Sequence, residues 1–300
     1  MILENIENIE NEYRKIIKQD KTPKKIDFLG VNIEKTIIMK LYLESKTDNN
    51  NEFIISMTKK GIVGIINDVK DNCNFNKKRY EMQLINRTKD NMSWLYSFLA
   101  RKYRFSARQR DKIRILEQLK SDSEKRISAL YFLGFISSEN NKNVIECLKF
   151  HYLLRTCKNS NSINKDYYID AKYVFEILRQ TDNVHFGFLI DIVKPLVEKN
   201  LVELWIAGID LFSANKEKFK IYFKLRGDIL DILITILQDN KLFELEMQIK
   251  KYIQWNKLHK ELNLYGMAIC IDSNKNVSMN FYNKITTKIN NNFKNNMDDE

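Results

Sequence analysis

The sequence predicts an α+β fold: an antiparallel sheet of about ten strands that closes into a barrel, with helices on the outside. Three observations predict it. Short apolar runs separated by polar Asn-, Ser- and Lys-rich turns recur along the chain as hairpins, and helical periodicity fills the gaps between them. A sheet of that many strands tends to curl or close. The third observation is Lys218-Phe219-Lys220-Ile221-Tyr222-Phe223-Lys224-Leu225-Arg226, which alternates with a period of two. Phe219, Ile221, Phe223 and Leu225 form one face, and Lys218, Lys220, Tyr222, Lys224 and Arg226 form the other.

In chain order, residues 1–20 carry Ile2, Ile6, Ile9, Tyr13, Ile16 and Ile17 at helical spacing, and Pro23 ends that segment. A hairpin over 27–44 follows, whose second strand puts Ile38, Lys40, Tyr42 and Glu44 on one face, and residues 52–60 read as a third strand. Helical periodicity then spans about 77–118, through Met82, Leu84, Ile85, Trp94, Leu95, Phe98 and Leu99. A second hairpin pairs 127–137 with 144–155 and places Lys149 and His151 on one face. Helices are expected over 171–180 and 186–200, then a hairpin of 201–212 with the opening stretch. Asp228 is placed to cap a helix to about 238, and another covers 241–262. The last hairpin is 265–272 with 277–284, and the Asn-rich tail after 287 is expected to be disordered. No Gly- or Pro-rich linker divides the chain, which has two prolines, so 1–300 reads as one domain with its core at about 26–285.

Composition narrows the function without choosing it. The formal charge of +11 and pI near 9.2 favour an anionic partner. Cys73, Cys147, Cys157 and Cys270 have no paired spacing, and with histidines only at 151, 185 and 259 neither a zinc site nor a disulfide framework is legible. No segment approaches the ~20 apolar residues of a spanning helix, and no secretion signal opens the chain. A cytoplasmic protein with no membrane partner is expected.

The hairpins repeat one another. Their second strands read Met39-Lys40-Leu41-Tyr42-Leu43, Leu148-Lys149-Phe150-His151-Tyr152, Phe219-Lys220-Ile221-Tyr222-Phe223 and Ser278-Met279-Asn280-Phe281-Tyr282-Asn283-Lys284. With Gly208-Ile209-Asp210-Leu211 leading into the third of these, the repeat resembles the soluble aromatic prenyltransferases of the ABBA type, and most of all the bacterial enzymes that prenylate ribosomal peptides such as cyanobactins. The resemblance implies a ten-stranded barrel whose interior binds an allylic diphosphate, dimethylallyl diphosphate above all. It implies transfer of a prenyl group of C5 or longer to an aromatic or other nucleophilic acceptor, a small molecule or a peptide side chain.

Cations and π-faces on one strand face suit that chemistry, because ammonium groups stabilise a departing diphosphate and tyrosine faces attract a carbocation. Lys40, Lys149, Lys220, Lys224, Arg226 and Lys284 are the expected diphosphate ligands, and Tyr42, Tyr222 and Tyr282 the expected shield of the allyl cation. Glu44 and His151 are the candidate bases for the acceptor's proton, and Trp205 and Met267 the candidate walls of its pocket. Each assignment turns outward if its strand slips by one residue. The segment Asn67-Asp68-Val69-Lys70-Asp71 resembles a diphosphate–magnesium motif of membrane enzymes, but no spanning helix is present to display it. Mg²⁺ bound with the diphosphate is the one cofactor compatible with the pattern. The rival expectations are a nucleic-acid-binding protein that stacks bases on these tyrosines and tracks phosphates with Arg101, Lys102, Arg104, Arg108 and Arg110, or a non-catalytic barrel protein.

Overall fold

A computed structural model of the chain describes residues 26–28, 31–33, 37–46, 51–58, 61–66, 75–86, 105–121, 131–138, 141–154, 170–212, 216–258 and 262–285, with side chains at 105–119, 147–154, 170–212, 216–257 and 263–284. The strands are β1 (Ile26–Phe28), β2 (Val31–Ile33), β3 (Ile37–Lys46), β4 (Asn51–Thr58), β5 (Gly61–Ile66), β6 (Phe75–Asn86), β7 (Tyr131–Ser138), β8 (Asn141–Leu153), β9 (Val202–Phe212), β10 (Glu217–Leu225), β11 (Leu262–Asp272) and β12 (Val277–Ile285). The helices are α1 (Ala107–Leu116), α2 (Gln118–Ser121), α3 (Ala171–Thr181), α4 (His185–Glu198), α5 (Leu230–Asp239) and α6 (Phe243–Leu258).

For the strands whose side chains are described, the expected closed barrel is corrected to an open five-stranded sheet in an α+β fold. The part of the sheet with described side chains has five antiparallel strands in the order β8-β9-β10-β11-β12, and its edges, β8 and β12, do not pair with each other. Backbone pairing runs on from those edges, β12 to β5 and β8 to β7, in the order β10-β11-β12-β5-β4-β3-β6-β7-β8-β9 and back from β9 to β10. Of those outer strands only the backbone is described, so no interior lined from both sides is described either. Strand number and the family resemblance were the basis for expecting closure, whereas closure depends on strand tilt and stagger, which the sequence pattern does not carry.

Strand β6 is a second correction, because it stands where helical periodicity pointed to a helix. Tyr80, Met82 and Leu84 also alternate with a period of two, and pairing with β3 settles the ambiguity in favour of the strand. That pairing puts Lys40 in register with Glu81, Tyr42 with Arg79 and Glu44 with Lys77. Strand β5 falls in a stretch for which no element was expected.

Helices cover one face of the five-stranded sheet: α4 crosses β9, β10 and β11, and α6 lies against β12. The apolar alternation of the sequence dictates which face. Phe150, Ile209, Phe219, Ile221, Phe223, Ile269 and Phe281 point to the helices and are no more than 1% exposed, in one core with Phe186, Leu189, Val193 and Tyr252. Each such side chain contributes about 1.5–3 kcal/mol on burial.

One charged cluster is embedded on this side. Lys112 of α1, 4% exposed, reaches Asp182 Oδ2 at 2.8 Å and Glu217 Oε2 at 2.5 Å, and its Nζ lies 4.8 Å from the centre of the Phe219 ring. Asp182 also opens α4, accepting from His185 N at 3.1 Å and contacting His185 Nδ1 at 2.9 Å, while the His185 ring stacks on Phe219 at 4.5 Å. Burial alone would raise the Asp182 carboxyl, but hydrogen bonds from Lys112 and His185 outweigh it and hold the group at about 2. The cluster ties α1, the start of α4 and the start of β10 together.

Candidate functional site

The face of the sheet that none of the described helices covers carries the second half of each alternation. Lys149 and His151 of β8, Gly208 and Asp210 of β9, Lys218, Lys220, Tyr222 and Lys224 of β10, Ala268 and Cys270 of β11, and Tyr282 and Lys284 of β12 share this phase across the registers. Tyr222, Ala268 and Cys270 pack there with Trp205, Ile206 and Tyr282, apart from the helix-covered core.

At one end of this face is a buried ion pair with a histidine. The Lys220 ammonium bonds Asp210 Oδ2, and His151 Nε2 lies 2.6 Å from Asp210 Oδ1. All three are buried: Asp210 is 2% exposed, His151 7% and Lys220 9%. Gly208 makes room for the arrangement. It stands in register between His151 on β8 and Lys220 on β10, and a Cβ there would fall 2.2 Å from the Phe150 carbonyl oxygen and 2.6 Å from His151 Cδ2.

Charge settles on these groups as their surroundings require. Burial pushes the Asp210 carboxyl up, yet Lys220, His151 and Lys149 outweigh it and hold it well below the usual carboxylate range. Burial pulls Lys220 down, and Asp210 more than reverses this, raising the ammonium above its ordinary value. For His151 burial wins over the pull of Asp210, so its pKa is lowered and the ring is neutral at pH 7. A neutral ring facing a carboxylate through Nε2 carries its proton on Nε2 and donates it, which leaves the Nδ1 lone pair available as an acceptor.

Beyond Lys220 the face becomes aromatic. The Tyr222 ring lies 5.6 Å from His151 and 5.8 Å from Tyr282. Burial raises the Tyr282 hydroxyl above its ordinary pKa and lifts Tyr265 to about 12, so both stay neutral phenols.

The other end of the face is built by two β-bulges. The β9–β10 register skips at Trp205 and the β11–β12 register skips at Tyr265, and the two rings meet edge to face at 6.0 Å. A lysine lies over each ring: Lys224 Nζ is 5.2 Å from the Trp205 centre and Lys284 Nζ is 5.7 Å from that of Tyr265. Neither lysine makes an ion pair with a carboxylate among the described residues.

The chain matches no protein-family model, and no curated protein matches it.

Of the residues singled out in the sequence, Lys149, His151, Lys220, Lys224, Lys284, Tyr222, Tyr282 and Trp205 come to this face. Met267 does not, and its expected place in a pocket wall is corrected. It sits in register with Phe223 and Phe281, and all three lie in the core under the helices. Arg226 follows the end of β10, where it bonds Asn200 Oδ1 at 2.5 Å and lies 3.7 Å from Glu203, away from the central cluster. The side chains of Lys40, Tyr42 and Glu44 lie outside the described residues. Sequence reasoning missed Asp210, Gly208 and Tyr265. An acidic residue within the otherwise apolar run 204–211, two positions after a glycine, was the available signal for the first two. A bulge has no such signature, and so Tyr265 was not found.

Proposed function

We propose that the helix-free face binds an allylic diphosphate and transfers its prenyl group, of C5 or longer, to a nucleophilic acceptor. The observation that carries this reading is the order of chemistries along the face: two lysines over the Trp205–Tyr265 pair, then the Tyr222–Tyr282 pair, then the buried Lys220–Asp210–His151 group. Lys224 and Lys284 supply positive charge and make no ion pair with a carboxylate among the described residues, Glu203 in register with Lys224 lying 3.7 Å from Arg226 instead, which suits a diphosphate. The tyrosine pair beside them suits the allyl cation that forms when the carbon–oxygen bond breaks and the diphosphate leaves with the electron pair. A π-face attracts such a cation by about 0.5–2 kcal/mol.

Similarity of the Lys-x-Tyr strands to those of soluble aromatic prenyltransferases supports the same reading. Burial of Lys220 and Tyr222, 9% and 8% exposed, favours a small enclosed ligand or a single inserted side chain over a nucleic-acid strand laid across the surface. The residues of this face do not fit a Mg²⁺ cage. Asp210 is engaged by Lys220 and His151, and the described residues include no cluster of three His, Cys, Asp or Glu side chains.

Incubation with dimethylallyl diphosphate and a panel of phenols, indoles and Tyr- or Trp-containing peptides, read by mass spectrometry, tests the reading. Prenylated product with release of diphosphate is expected. Absence of product from dimethylallyl, geranyl and farnesyl donors alike refutes it.

A further inference from the structure

We propose that Lys224 and Lys284 are caps on the Trp205–Tyr265 pair, and that the donor's diphosphate lifts them off, so that the two ring faces receive the prenyl chain only while the diphosphate is held. The inference rests on the transferase reading and concerns how the two halves of the donor are bound together.

The surroundings of the two lysines decide what can move them. Each ammonium lies at cation–π distance from one ring, 5.2 Å for Lys224 over Trp205 and 5.7 Å for Lys284 over Tyr265, and no carboxylate among the described residues holds either in an ion pair. Lys220 differs, being buried and locked to Asp210. Lys284 is exposed, and Lys224, Trp205 and Tyr265 are half-buried, so water reaches this end of the face and an anion can follow it. Strand β11 contributes only Gly266 between Lys224 of β10 and Tyr282 of β12, and a Cβ there would fall 3.0 Å from the Phe223 carbonyl oxygen. No side chain of β11 therefore stands between those two residues.

The relative strength of the contacts gives the direction of the change. A half-hydrated ammonium gains less from a π-face than from charge-assisted hydrogen bonds to phosphate oxygens, so a diphosphate within reach of both lysines takes them from the rings. A ring face covered by an ammonium is closed to a carbon chain. Uncovered, it offers apolar contact beside the anion. The edge-to-face contact of the two rings at 6.0 Å involves neither lysine, so the pair keeps its arrangement as the caps leave. Head and chain then reinforce one another: each tightens the binding of the other by the same factor, and a chain without a diphosphate meets covered rings.

The test uses the full-length chain, inorganic diphosphate and dimethylallyl alcohol, a neutral chain that has no net charge to be drawn to the anion. Diphosphate is expected to change the emission of Trp205 saturably, a signal identified among the chain's 3 tryptophans by its loss in Trp205→Phe. Ligand-observed NMR is expected to show the alcohol binding about two- to thirty-fold tighter at saturating diphosphate, the range that cation–π energies span. In Lys224→Gln with Lys284→Gln, the alcohol should bind without diphosphate as tightly as it binds wild type with it, and added diphosphate should change nothing. Diphosphate that binds wild type by calorimetry but alters neither Trp205 emission nor the alcohol's affinity overturns the capping alone, whether or not the variants fold. A folded double variant that binds the alcohol no better than wild type does without diphosphate also overturns it. No binding of inorganic diphosphate or of dimethylallyl S-thiolodiphosphate to wild type overturns the transferase reading and the capping with it.

Discussion

Substituting Asp210 by Asn removes one charge from a site that water barely reaches, and the structure sets the size of the consequence. The carboxylate is 2% exposed and holds two partners, the Lys220 ammonium and His151 Nε2. An Asn of the same shape leaves a 9%-exposed ammonium with no counter-charge beside it. Breaking one partner out of a buried pair costs about 3–5 kcal/mol, a large share of the roughly 5–15 kcal/mol that stabilises a domain. Urea unfolding at pH 7 should show the unfolding free energy falling by that amount through a lower midpoint, with little change in slope. Replacing both partners, Asp210→Asn with Lys220→Met, should recover part of the loss, giving a coupling of about 2 kcal/mol or more. An Asp210→Asn protein within about 0.5 kcal/mol of wild type would refute the reasoning, since it would mean that Lys220 is hydrated and the pair is not a closed site.

The other predictions concern pH, the second charged cluster, one core hydrogen bond and the shield. His151 has a lowered pKa when folded, so the unfolded chain binds a proton that the folded chain refuses, and stability should decline as pH falls below the ordinary histidine value of 6.5. Asp210, also lowered, adds a further loss at more acid pH, while Lys220, raised, contributes stability that is complete below about pH 10 and lost as pH rises through its folded value; pH-dependent urea melts should show the first of these declines reduced in His151→Gln. Lys112→Met should cost about 3 kcal/mol or more at pH 7 because Asp182 and Glu217 lose their shared cation, and the deficit should shrink as acid protonates Asp182. Tyr252→Phe keeps the ring stacked on Phe281 at 4.1 Å but removes its 2.5 Å hydrogen bond to the buried Asn283, and thermal or urea melts should register about 1–3 kcal/mol. Tyr222→Ala should slow prenyl transfer by about two- to thirty-fold if its ring shields the cation, as the range of cation–π energies requires.

Strands β8 to β12 were legible because alternation survives over most of each strand and is clearest in β10: Phe219, Ile221 and Phe223 could only face a core, and that fixed Lys220 and Tyr222 on the other side. Helices α3, α4, α5 and α6 were legible from periodicity, although α5 begins at Leu230 after Ile229, with Asp228 accepting weakly from Leu230 N at 3.4 Å. Strand β6 was not, because Met82, Leu84 and Ile85 satisfy a helical period as well as a strand period. Closure depends on tilt and stagger, which leave no residue pattern. Met267 was misplaced through a register effect. The bulge at Tyr265 shifts the phase of β11 against β12, so the residues that reach the site from that strand are Tyr265, Ala268 and Cys270. Asp210 was passed over because a carboxylate within an apolar run shows its purpose only when two neighbouring strands deliver Lys220 and His151 to it.

The central claim is that Lys224 and Lys284 make the helix-free face a diphosphate site. Calorimetric titration of the full-length protein with dimethylallyl S-thiolodiphosphate, which does not ionise readily, tests it most directly. The account predicts saturable binding that weakens at least tenfold in Lys224→Ala with Lys284→Ala, while the far-ultraviolet circular dichroism and urea midpoint stay close to wild type. Binding of equal strength in the double variant, or none in the wild-type protein, would contradict it.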